Sequence, residues 1–131
     1  MVKELDIVNE FFHKFYPEDY KTNWETRWCG SDIGREYQTL DRSYIFPKII
    51  CNDGFGMSVQ GHFGAYSFPR DDFADFYTNV EILIEGNGDT ILNEFGRVEV
   101  YDTYTLYPYI PISYVIRCIE SHGGIDNSKS Q

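Results

Sequence analysis

The chain has 131 residues, of which 42% are hydrophobic and 18% aromatic, and its net charge is -10 at neutral pH. This composition predicts one globular domain with a single hydrophobic core and excludes a disordered chain. The acidic balance also argues against direct binding to nucleic acid, because contacts to phosphates require Lys and Arg.

The three cysteines, Cys29, Cys51 and Cys118, are widely spaced and match no Cys-x-x-Cys or Cys/His pattern typical of zinc sites. The first residues carry acids within their apolar pattern, unlike a signal peptide. No stretch approaches the roughly 20 apolar residues that a transmembrane helix needs. We therefore expect reduced thiols, no metal or other cofactor, no membrane contact and a cytoplasmic location.

In chain order, apolar residues at helical spacing predict an amphipathic helix over residues 3–16, which Pro17 ends. Residues 17–43 predict an irregular connection. Residues 44–51 predict a strand, in which Pro47 indicates an edge position or a bulge. Asp53 and Gly54 mark a turn, and the alternation over residues 55–60 predicts a half-buried strand.

A glycine-rich loop with a short strand at residues 66–68 follows, and the acid-rich segment 71–75 is expected to be a solvated loop. The clearest strand pattern covers residues 77–85 and ends in a turn at 86–89. Alternation over residues 97–101 continues the sheet, and residues 103–109 extend it or cross its edge.

A last helix is predicted to begin at Pro111, because Ile112, Val115, Ile116 and Ile119 form one apolar stripe. Gly123 suits its left-handed end, where a cationic His122 interacts favourably with the helix dipole. The strands thus cluster between two helices. This order predicts an α+β fold with an antiparallel sheet of four or five strands in one domain over residues 1–125, followed by a disordered tail, 126–131.

Several segments resemble, in the same order, a family of small uncharacterised proteins of tailed bacteriophages and prophages. The shared features are DGFGMSVQ at 53–60, Tyr66 with Pro69-Arg70, TNVEI at 78–82 and YPYIPISYVIRCIESHGGI at 107–125. The likeness covers residues 46–125, which makes residues 1–45 an added or divergent N-terminal extension.

This chain departs from the family at Gly61-His62, where Ala-Ser is common, and at Ser67, where a Cys is common, so no role for that Cys is carried over. The resemblance implies a phage or prophage source, hence a host cytoplasm, and a fold; it implies no reaction.

The acidic residues suggest a binding function. Residues 71–102 contain nine acids against Arg97 as the one base. We expect this segment to bind a basic groove of a host protein or ribonucleoprotein, because charge complementarity steers association. The predicted partner-binding residues are Asp71, Asp72, Asp75, Tyr77, Glu81, Glu85 and Asp89. The leading hypothesis is therefore a phage accessory protein that inhibits a host nucleic-acid-handling or defence complex, of the anti-CRISPR or antirestriction type.

Two alternatives stay open. Arg70 is suited to hold a phosphate or carboxylate, with His62 and Tyr66 beside it, which would make the protein a small-ligand or nucleotide-binding sensor or sponge. A structural or assembly role would instead predict an oligomer held by an apolar patch. No nucleophile elbow, phosphate-binding loop or nuclease-type Glu-x-Lys strand is present, so no catalytic residue and no enzymatic activity is predicted.

Overall fold

The computed structural model describes residues 4–16, 45–95, 99–100 and 103–129, with only the backbone at 99 and 100. Within these residues the elements in chain order are α1 (Ile7–His13), β1 (Ile49–Ile50), β2 (Gly56–Gln60), β3 (Asn79–Glu85), α2 (Thr90–Phe95), β4 (Glu99–Val100), β5 (Tyr104–Pro111) and α3 (Ile112–Ser121). The irregular connection predicted over residues 17–43 lies outside the described residues.

The five strands form one sheet in the order β1-β2-β3-β5-β4, and each neighbouring pair is antiparallel. The predicted α+β fold is therefore confirmed. The register follows the apolar alternation: Val59 lies opposite Ile82, which lies opposite Tyr107, and all three are fully buried. Since strand side chains alternate, this register gathers the apolar positions on one face, which we call the inner face.

The helices cover the inner face and complete the core. The core residues of the helices are Val8, Phe11 and Phe12 in α1, Leu92 in α2, and Ile112, Val115, Cys118 and Ile119 in α3. On the opposite, outer face, Ser58, Leu83 and Leu106 lie side by side and are partly or fully exposed. The described helices therefore pack on one side of the sheet.

Helix α1 is shorter than predicted because Asp6 caps its N-terminus. The Asp6 carboxylate accepts hydrogen bonds from the backbone N–H groups of Val8 and Asn9, at 2.9 and 2.8 Å, which otherwise have no partner in the first turn. The side chain of Asn9 is buried and pairs with both backbone polar groups of Tyr77, at 2.7 and 2.9 Å. The helix is thus built into the core of the domain, and the prediction that residues 1–45 are an added or divergent extension stays a prediction.

Gln60 continues the pairing of β1 and β2 past the end of the ladder. Its side-chain amide donates to the carbonyl of Phe46 and accepts from the N–H of Phe46, both at 2.8 Å. The amide thereby replaces a pair of strand hydrogen bonds and holds the buried Phe46 ring against Phe12, with ring centroids 4.4 Å apart.

Two further elements differ from the sequence-based prediction. The predicted turn at 86–89 leads into helix α2, which was not predicted. The tail predicted to be disordered begins with an ordered turn, in which Asp126 donates its N–H to Ile50 and its carboxylate accepts from Ser128. Among the described residues, no helix is long and apolar enough to span a bilayer.

Gly61, the residue after β2, lies close to the Tyr77 ring, and this contact leads to a prediction about stability. A Cβ atom at this position would lie 2.9 Å from the buried Tyr77 ring, closer than real contacts allow. Because Tyr77 is fixed by Asn9 and has no space to move into, Gly61→Ala should lower the free energy of unfolding by about 1–3 kcal/mol. Urea unfolding measures this, with Glu120→Ala on the exposed side of α3 as the control, for which a change of under about 0.5 kcal/mol is expected. An equal loss in both variants would contradict the prediction.

Candidate functional site

The predicted partner-binding residues divide between the interior and the surface. Tyr77 is fully buried, Asp72 is 1% exposed and Asp89 is 8% exposed. Asp72 accepts a hydrogen bond from the backbone N–H of Phe63 at 3.0 Å, so its carboxylate holds the loop that contains Phe63. The prediction that these three residues contact a partner is therefore wrong, because their side chains satisfy groups inside the domain.

The exposed members of the set do not share one face. Asp75 lies beside α1, whose His13 approaches the Asp75 carbonyl at 2.9 Å. Glu81 and Glu85 lie on the outer face of β3, away from that helix, and Glu85 pairs with Lys48 at 3.6 Å. The segment 71–75 is turned inward by the buried Phe73 and Ala74, which is why its acids and those of β3 diverge. The sequence predicted one shared acidic surface, whereas these exposed acids lie on different sides of the domain.

The residues predicted as a ligand site do lie near one another. The Arg70 guanidinium is 5.7 Å from the centre of the Tyr66 ring, within the range of a cation–π contact. Burial, together with the Arg70 charge, lowers the pKa of His62 to about 4. A groove of about 610 Å³ lies elsewhere, lined by Lys48, Ile50, Leu83 and Tyr104 among others, and none of the three lines it. Binding of a ligand by His62, Tyr66 and Arg70 stays a prediction.

Tyr66 belongs to this group and is 41% exposed, as is Tyr109, whose ring lies beside it, and Phe68, two residues after Tyr66, is 63% exposed. We call these three residues the aromatic platform. The Tyr66 and Tyr109 rings are 5.8 Å apart, and Arg70 lies at the margin over Tyr66. Exposed aromatic rings grouped in this way are more than the scattered apolar residues found on most surfaces.

The backbone of the platform is held firmly by the sheet. The N–H of Tyr66 donates to the Glu81 carboxylate at 2.7 Å, and its carbonyl accepts from the N–H of Tyr109 at 3.0 Å. Phe68 forms an antiparallel bridge with Asn79, at the start of β3. Tyr109 has a φ of 54°, at a point where the register of β3 and β5 shifts. The bulge turns the Tyr109 ring outward, as bulges do at the ends of sheets.

A second group of side chains lies where the turn between β1 and β2 contacts the end of α3. Asp53 of the DGF turn accepts from the backbone N–H of Phe55 at 2.9 Å, and its other oxygen lies 2.6 Å from Nδ1 of His122. The Phe55 ring stacks on the imidazole of His122, with centroids 3.9 Å apart. Asn52 donates its side-chain amide to the carbonyl of Gly123 at 2.6 Å. These contacts join the β1–β2 turn to the end of α3, and we call the group of Asp53, Asp89, Cys118 and His122 the junction.

Asp89 joins α2 to the same group. One of its oxygens accepts from the backbone N–H of Ile91 at 2.9 Å and so caps α2, while the other lies 2.9 Å from Nε2 of His122. The Cys118 thiol lies within 4.8 Å of the same carboxylate. From the sequence, His122 was expected only as a cation at a helix end, and Asp89 was expected on a partner-binding surface. The sequence signal for the cap of α2 was Asp89 followed by Thr90 and the apolar residues Ile91 and Leu92.

The ionisation of the junction follows from these contacts. Burial lowers the pKa of His122, but hydrogen bonds to Asp89 and Asp53 and their charges outweigh it, and the pKa is raised. The N–H of Phe55 and the His122 ring lower the pKa of Asp53. Burial, reinforced by the charges of Asp53 and Asp89, raises the pKa of Cys51 to about 11, and burial and Asp89 raise that of Cys118 further. Both thiols are therefore protonated at neutral pH and are poor nucleophiles.

Comparisons with known proteins add no family or relative: no family model, no curated protein and no solved structure matches the chain.

The junction predicts that the stability of the domain depends on pH. The buffer should contain a chelator, so that only protons bind to the junction side chains. Because the folded pKa of His122 is raised above 6.5, its contribution is complete below pH 6.5 and is lost as the pH rises through the folded value. Asp53, with a pKa lowered below 3.8, contributes above that pH. The stability difference between the wild type and His122→Gln should thus be largest at mildly acidic pH and should shrink towards alkaline pH.

Denaturant unfolding at a series of pH values measures this difference. Asp53→Asn removes one partner of the imidazole and should reduce the pH dependence while leaving the Asp89 contact. A difference that grows with rising pH would show that the imidazole is not stabilised as a cation.

Proposed function

We propose that the protein is a non-enzymatic recognition protein that binds a partner protein through the aromatic platform of Tyr66, Phe68 and Tyr109. The observation that carries this proposal is the exposure of three aromatic rings, two of them 5.8 Å apart, on a hydrogen-bonded backbone. Aromatic residues and Arg are enriched at the centres of protein interfaces, and pre-organised side chains lose little conformational entropy on binding.

The polar groups of the domain favour recognition over catalysis. Both ring nitrogens of His122 already face carboxylates, and the thiols of Cys51 and Cys118 are buried and protonated. Nδ1 of His62 accepts from the N–H of Gly64 at 3.1 Å, and its low pKa leaves the ring uncharged. A general base or a nucleophile needs an accessible group with a pKa near the working pH; His62 and the two thiols lack such a pKa, and both ring nitrogens of His122 are occupied by carboxylates.

The chemistry of the partner follows from the surroundings of the platform. The rings present an apolar contact area with the exposed Arg70 at its margin, whereas the chain as a whole carries a charge of -10. A partner with an apolar recess, set within a basic surface, complements both features. The prediction that this partner is a host nucleic-acid-handling or defence complex, inhibited by a phage protein, is compatible with such a surface and is supported by the resemblance and the net charge.

A double variant of the platform tests the proposal. Tyr66→Ser with Phe68→Ser removes two exposed rings but leaves the backbone hydrogen bonds in place, so the domain should stay folded. Proteins captured from a bacterial host lysate by the wild type are identified by mass spectrometry, purified and titrated against each variant. We expect the double variant to bind at least about tenfold more weakly, since each anchoring ring contributes more than about 1 kcal/mol.

Ile7→Ser is the matched control, because Ile7 is similarly exposed (40%) but belongs to α1, on the other side of the sheet. It should bind as the wild type does, and binding should weaken with salt because the partner is basic. Equal binding by the platform variant and the wild type would refute the proposal. Self-association of the free chain, or saturable binding of a nucleotide lost in Arg70→Gln, would favour the assembly or small-ligand alternative instead.

A further inference from the structure

We propose that Asp89, Cys118 and His122 bind one divalent transition-metal ion of the Zn²⁺ type. One ligand atom from each residue, a carboxylate oxygen, a thiol sulfur and an imidazole nitrogen, lies within 4.8 Å of the other two. In a tetrahedral zinc site, with bonds of about 2.0–2.3 Å, neighbouring ligand atoms are about 3.5 Å apart. The three donors are therefore close to a binding geometry and need only small side-chain shifts to reach it.

The orientation of His122 is the one that metal-binding histidines adopt. Nδ1 lies 2.6 Å from the Asp53 carboxylate, which favours the tautomer with the proton on Nδ1 and turns Nε2 towards Asp89. A carboxylate on the distal ring nitrogen is the usual second partner of a zinc-binding imidazole, since it fixes the ring and raises its basicity. Stacking on Phe55 further restricts the rotation of the ring.

The other two donors are also held in place. One oxygen of Asp89 is occupied by the N–H groups at the start of α2, which directs the second oxygen to His122. Cys118 lies on α3, one helical turn before His122, so the helix presents both donors on the same side. The ligands thus come from two rigid elements, and Asp53 supports them from a third.

The donor set determines the class of ion. A thiolate combined with imidazole and carboxylate selects Zn²⁺ or Co²⁺ over Mg²⁺ and Ca²⁺, which prefer oxygen ligands. On binding, the Cys118 thiol and Nε2 of His122 each release any proton they carry to solvent, and the ion takes the place of those protons between the three side chains. A water molecule completes the fourth position of a tetrahedral site.

Spectroscopy of the full chain tests this site. The purified protein is stripped with a chelator, dialysed and titrated with Co²⁺ alone and then with Zn²⁺ alone. We expect one Co²⁺ per chain, with a thiolate-to-cobalt charge-transfer band and the intense visible absorption of a tetrahedral ion, both displaced by Zn²⁺. Calorimetry should show a one-to-one complex with Zn²⁺, and the melting temperature should rise with metal concentration.

Variants separate ligands from supporting residues. Cys118→Ser should abolish the charge-transfer band, and His122→Gln should weaken Zn²⁺ binding at least about 100-fold. Asp53→Asn should weaken it about 10–100-fold while retaining the tetrahedral spectrum, as expected for a residue that orients a ligand. Cys29→Ser, which removes the one thiol outside the described residues, should change neither.

Two results would overturn the proposal. One is the absence of a thiolate band at equimolar Co²⁺; the other is a band that survives Cys118→Ser but is lost in Cys29→Ser, which would assign it to an adventitious thiol. Circular dichroism of the metal-free variants establishes that each is folded. If Cys118→Ser does not fold, the more exposed His122 decides the question, because unchanged Zn²⁺ affinity in a folded His122→Gln variant equally refutes the site.

Discussion

The architecture depends on the packing of the described helices against one face of an antiparallel sheet. The inner positions of β2, β3 and β5 are apolar and buried, so the core lies between the sheet and its helices. Hydrophobic burial of this kind is the main favourable term in folding, and here it is used on one side of the strands. The outer face consequently keeps the mixed composition of a surface, from Ser58 to Leu83. That division leaves a face on which exposed aromatic residues can serve recognition.

Helix α3 links the two groups that we assign to function. It follows β5 directly, so its first turn lies just beyond Tyr109 of the aromatic platform, and it ends at His122 of the junction. Its ten residues span about 15 Å. The end of β5 that carries Tyr109 and the junction therefore lie at the two ends of one short helix.

The sequence predicted the strands and α3 because their patterns are long and regular. Alternation in β3 and the stripe of Ile112, Val115 and Ile119 each place apolar side chains on one side, whatever the tertiary context. Helix α2 was missed because six residues hold too few apolar positions for a period, and its main signal is the cap residue Asp89. Helix α1 was predicted from its apolar spacing, but its contact through Asn9 with the backbone of Tyr77 was not, because that partner is 68 residues away in the chain.

The candidate sites were less predictable because they depend on distant partners. The carboxylates that hold His122 are 69 and 33 residues away in the chain, and no local pattern encodes such contacts. Likewise, the acidity of residues 71–102 is evident from composition, but the inward direction of Asp72 and Asp89 accompanies their hydrogen bonds to the backbone N–H groups of Phe63 and Ile91. The proximity of Tyr66 and Arg70 was predicted because only three residues separate them.

The segment that follows α3 covers the edge of the sheet at β1. After α3, Ile125 bridges Cys51 and the N–H of Asp126 reaches the carbonyl of Ile50, so the end of the chain runs antiparallel along the outside of β1. Uncovered strand borders are templates for intermolecular pairing and aggregation. Removal of the residues beyond Gly124 would expose that edge, and a shortened chain would tend to form fibres or swapped dimers.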